Sequence, residues 1–101
     1  MEKKMKICNL IAELICKTTE ENPDTTAIAE ILAEIDFRTM LLQDEKMSDI
    51  VEEIKYRTRR RFFIKSGEYV VAEMKAREKV EQEYKDERRS NENTANKNTQ
   101  I

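Results

Sequence analysis

From residue 5 to about residue 19, apolar side chains recur at Ile7, Leu10, Ile11, Leu14 and Ile15. That i, i+3, i+4, i+7, i+8 spacing lays one stripe along an α-helix. Glu20-Glu21-Asn22-Pro23-Asp24 ends the stripe, because proline disfavours a helical residue before it and Asp24 or Thr25 can cap the next helix. A second periodic run, Ile28, Ile31, Leu32, Ile35 and Leu42, predicts a helix over 25–43 with Glu30 and Glu34 near its opposite side. After the polar connector Gln43-Asp44-Glu45-Lys46, Met47-Ser48 reads as a hydrophobic residue followed by an N-cap. In the third helix that follows, Met47, Ile50, Val51, Ile54, Thr58 and Phe62 share one core-facing sector.

The joint over residues 64–69 admits two structures. In the favoured one, Gly67 ends the third helix as its left-handed C′ residue and a fourth helix runs from about 68 to 89. Its stripe is thin: Met74, Ala76, Val80 and Tyr84, with Tyr69 and Val70 before them. In the other, residues 62–65 and 69–71 pair as a β-hairpin through Ser66-Gly67, giving a helix-turn-helix with a wing. A lone hairpin has no third strand to support it. The expected fold is therefore all-α, a small bundle of three core helices plus a longer, partly protruding C-terminal helix. One helical domain over 1–89 precedes a tail over 90–101, which holds nothing large and apolar before its last residue and is expected to be disordered.

Composition narrows the chemistry by what is missing. The 101 residues contain no His, which removes the usual general base and metal ligand, and one Gly, too few for a phosphate-cradling loop. Cys8 and Cys16 lie eight residues apart in one helix, about 12 Å along its axis and beyond disulfide reach. They are expected to be buried thiols in a reducing compartment. Lys3, Lys4 and Lys6 precede the run from 7 to 16, but Asn9 and Glu13 interrupt it. It is too short and too polar to span a bilayer, and a cytoplasmic protein with no membrane partner is expected.

Charge changes the picture more. Residues 1–54 carry 6 basic and 13 acidic side chains, a net of −7, whereas residues 55–65 carry 6 basic and none acidic, a net of +6. The overall charge of −2 conceals this patch. Lys55, Tyr56, Arg57, Arg59, Arg60, Arg61, Phe63 and Lys65 mix cations with rings. Cations displace phosphate counterions and rings stack on exposed bases, so these eight residues are the candidate nucleic-acid surface. Six phosphate contacts on a duplex would give a log–log salt slope of about −5. Base readout by the start of the third helix is disfavoured, since Asp49, Glu52 and Glu53 stand there. Backbone or RNA contact fits better.

The same cations could instead serve the acidic half of the fold or a homodimer. The alternative function is a protein-binding inhibitor or adaptor using the acidic helical face or the fourth helix, through Glu30, Glu34, Tyr69, Met74, Val80 and Tyr84. In size, Lys/Glu/Asn-rich composition and polar tail, the chain resembles small bacteriophage or mobile-element accessory proteins. Catalysis is not expected. Pro23-Asp24 with Glu53-Ile54-Lys55 imitates a metal-dependent nuclease, but the second element sits in a helical pattern and Glu73-Met74-Lys75 repeats it. A cysteine nucleophile lacks a His partner. No cofactor and no metal are expected.

Overall fold

In the computed structural model, which describes residues 2–99 and the side chains of residues 2–89, the chain forms four helices and, among the described residues, no strand. These are α1 (Glu2–Thr18), α2 (Thr25–Leu42), α3 (Glu45–Arg61) and α4 (Ser66–Thr99). Asp24 caps α2, its Oδ1 accepting from the backbone N–H groups of Thr26 (3.0 Å) and Ala27 (3.2 Å). Among the described residues, no helix is long and apolar enough to cross a membrane.

Each of α1, α3 and α4 packs its backbone against α2 and not against the others. A helix surrounded in this way must be buried nearly all round. Accordingly α2 buries Ile28, Ala29, Leu32, Ala33 and Ile35, together with Glu34, Arg38 and Thr39. The core is completed by Ile7, Leu10 and Leu14 of α1, Val51 of α3, Ile64 of the last connector, and Tyr69, Ala72 and Ala76 of α4.

Two contacts define how α4 lies. The Tyr69 hydroxyl donates to Asp36 Oδ2 at 3.3 Å, and Arg38 Nη1 donates to Glu83 Oε2 at 2.7 Å. The partners sit about 3 Å apart along α2 but about 21 Å apart along α4, so α4 crosses α2 steeply. Its start leans on α3, with the Arg59 guanidinium over the Tyr69 ring at 4.5 Å. Its later turns reach α1, where Lys6 meets Glu83 at 3.9 Å and Lys3 lies over the Tyr84 ring at 4.6 Å. Ion pairs Glu30–Lys75 (3.1 Å), Glu34–Lys79 (2.9 Å) and Arg38–Glu83 step by four on both helices. Ridges of that kind pack against each other at roughly 50°. With 34 residues, α4 is about 51 Å long and accounts for the 57 Å long axis.

Several sequence expectations are corrected. The winged hairpin is absent, as residues 66–71 open α4. Gly67 does not end α3; it lies in the first turn of α4, and Phe63 takes the left-handed position at φ 55°. Asp44, not Ser48, caps α3. Left-handed Gln43 (φ 56°) closes α2 and leaves Asp44 extended, its Oδ1 accepting from the Met47 N–H at 3.2 Å. Glu34 is 5% exposed rather than on an outer side, because α4 covers it. Ile15, Cys8 and Cys16 are exposed, since the backbone of α1 packs on α2 alone and its buried stripe is narrow. On α4 the buried row is Tyr69, Ala72, Ala76 and Val80, with Met74 outside. The tail expected over 90–101 is not among these corrections: the α4 backbone runs to Thr99, and the side chains from residue 90 onward lie outside the described residues.

Candidate nucleic-acid interface

The C-terminus of α3 sets the geometry of the basic cluster. After Arg61 the chain turns through a Schellman closure: the Ile64 N–H bonds to the Arg59 carbonyl at 3.0 Å and the Phe63 N–H to the Arg60 carbonyl at 3.4 Å. Glycine is the usual residue at the left-handed position of such a turn, since a side chain there costs about 1–2 kcal/mol. Phe63 occupies it. The turn carries Ile64 into the core and leaves the Phe63 ring 86% exposed.

The eight candidate residues divide. Tyr56, Arg57, Arg60, Arg61 and Phe63 line one open depression together with Glu53. Tyr56 is 63% exposed, and Arg57 is exposed while its Nε donates to Glu53 at 2.7 Å. Arg61 lies over the Phe62 ring at 5.0 Å. Arg60 and Lys65 are exposed and, among the described residues, form no ion pair.

Lys55 and Arg59 turn inward. Lys55 Nζ pairs with Glu52 at 2.9 Å and with Asp36 at 3.4 Å. Its burial opposes the charge, but the hydrogen bond to Glu52 and the attraction of Asp36 outweigh it and raise the pKa. Arg59 stacks on Tyr69, and its Nε is buried without a partner. Burial, then the charge of Asp36, pushes the Tyr69 hydroxyl well above the ordinary phenol range, so it stays a neutral donor. These residues lock α3, α2 and α4 together.

The residues proposed for protein binding are mostly structural. Tyr69 and Val80 are buried, Glu34 is held by Arg38 and Lys79, Glu30 pairs with Lys75, and Tyr84 is half-buried under Lys3. Only Met74, 66% exposed, stands open. The sequence reading missed Arg38, 5% exposed and bonded through Nε to Glu34 (2.9 Å) and through Nη1 to Glu83. Burial works against its charge, yet the bonds to Glu83 and Glu34 raise its pKa above the usual value. The i, i+4 spacing of Glu34 and Arg38 was the available signal, and it reads equally well as a surface pair. Asp24, half of the nuclease-like spelling, is spent on the α2 cap. Among the described residues, no cluster of three or more His, Cys, Asp or Glu is arranged to hold a metal.

No family model, curated protein or solved structure matches this chain.

Proposed function

We infer that the protein is a non-catalytic nucleic-acid-binding protein, of a regulatory kind, acting in the cytoplasm through the ledge at the end of α3. Tyr56 and Phe63 stack on unpaired bases, while Arg57, Arg60, Arg61 and Lys65 meet the backbone. The observation that carries this reading is Phe63: a ring held out to solvent from a backbone position that favours glycine among unburied cations. Strain retained at an exposed aromatic argues for use rather than packing. Open rings beside cations suit single strands, because an unpaired base offers both a face and a phosphate.

The test is binding of a labelled short single-stranded RNA, followed by fluorescence anisotropy, to the protein and to its Arg60→Glu/Arg61→Glu variant. Both arginines are exposed, so the variant should keep its helical circular dichroism and lose at least about tenfold in affinity. Unchanged affinity in a folded variant would refute the assignment.

A further inference from the structure

A second surface of opposite sign lies on another side of the molecule. Helices α3 and α4 both pack on α2 but not on each other. Among the described residues their side chains meet near the connecting turn, where Arg59 covers Tyr69, and the helices diverge from there. Between them is a V-shaped cleft of about 730 Å³, floored by α2. Its closed end is pinned by Asp36, which accepts from Lys55 of α3 and from Tyr69 of α4.

The cleft has an apolar interior and an acidic rim. Phe37 and Met40 from α2 and Val70 and Met74 from α4 line it, and all but half-buried Phe37 are exposed. Around them stand five carboxylates, Asp36, Asp44, Glu45, Glu52 and Glu73, against two cations, Lys55 and Arg77. Lys55 is already taken by Glu52 and Asp36, Arg77 lies over the Phe37 ring at 5.6 Å, and Lys4 of α1 pairs with Asp44 at 3.0 Å. Among the described residues, Glu45 and Glu73 form no ion pair.

We propose that this cleft docks the apolar face of a cationic amphipathic helix from a partner protein. A groove between two helices accepts the ridge of a third, and flexible methionine side chains adapt to the residues it brings. The carboxylate rim selects Lys or Arg on the flanks of that helix and repels phosphates, which separates this occupant from nucleic acid and from anionic lipid. Sheet-edge pairing is ruled out by the all-helical walls. The cleft uses no residue of the exposed α3 ledge, so docking stands or falls independently of RNA binding.

Three synthetic peptides test the proposal on the full chain: an amphipathic Leu/Lys helix, a scrambled peptide of the same composition, and a Leu/Glu helix with the same apolar face. Each carries one Trp. The protein has none, so Trp emission reports the peptide alone. The Leu/Lys helix should bind with a blue shift, and the other two at least about tenfold more weakly. Met40→Lys/Met74→Lys in the protein should weaken the Leu/Lys helix by a similar factor, with no loss of RNA binding. Glu45→Lys/Glu73→Lys, which leaves the apolar floor intact, should do the same and serves if the methionine variant misfolds. Equal binding of the scrambled peptide, no binding of the Leu/Lys helix, or unchanged affinity in a folded variant would overturn the proposal.

Discussion

Phe63 separates stability from function within one residue. Its left-handed backbone costs energy that glycine would not incur, and its ring makes little packing contact at 86% exposure. Phe63→Gly should therefore leave urea stability unchanged or raise it by up to about 1 kcal/mol. It should also lose one stacked base, roughly tenfold in RNA affinity. A large loss of stability would mean that the ring is structural after all. Arg38 is the opposite case. Arg38→Met leaves Glu34 buried with Lys79 as its sole cation and should cost roughly 3 kcal/mol in urea unfolding, while adding Glu34→Leu should recover most of it. Phe63 is legible in the sequence as a ring beside an arginine run, but its left-handed backbone is not, because glycine is the expected residue there. Arg38 is not legible, since a Glu–Arg pair one turn apart reads as surface.

Helices were legible where periodicity and caps agreed. The α2 start at Thr25, with Asp24 capping, follows from Pro23-Asp24 and the isoleucine spacing. The joints were less legible because turn chemistry there departs from propensity. Asp44 and Ser48 are equally good local candidates for a cap, and Gly67 is a better left-handed residue than Phe63; Asp44 and Phe63 serve, since tertiary packing fixes where α2 ends and where Ile64 must enter the core. The stripe of α4 was half legible. Ala72 carries too weak a hydrophobic signal to be noticed, yet small residues let steeply crossed helices approach. At this scale Gln43→Gly should stabilise by a few tenths to about 1 kcal/mol, as the left-handed closure of α2 no longer opposes a Cβ. Asp24→Ala should destabilise by about 1 kcal/mol through loss of the α2 cap. Both are read from urea midpoints at constant m-value.

At the scale of the whole molecule, the charge split along the sequence becomes a split in space, with the cations at the α3 terminus and an acidic cleft between α3 and α4. Part of the basic cluster is consumed in joining helices, which composition could not reveal. Acid should loosen this network. The hydrogen bond from Arg38 holds the Glu83 carboxyl below its ordinary value, and the bond from Lys4 does the same for Asp44. A depressed folded-state pKa contributes stability above the unfolded value that is lost as pH falls through the folded one. Melting temperature should therefore drop as pH falls below the ordinary Glu value of 4.5, and Glu83→Gln should flatten that limb while lowering the neutral plateau.

The central claim concerns the ledge, and the salt dependence of RNA binding tests it most directly. Of the six cations between residues 55 and 65, four remain exposed: Arg57, Arg60, Arg61 and Lys65. Anisotropy titrations of single-stranded RNA across a salt series should give a log–log slope of about −3, shallower than six contacts would produce. A slope near zero, or no binding even at low salt, would contradict the account.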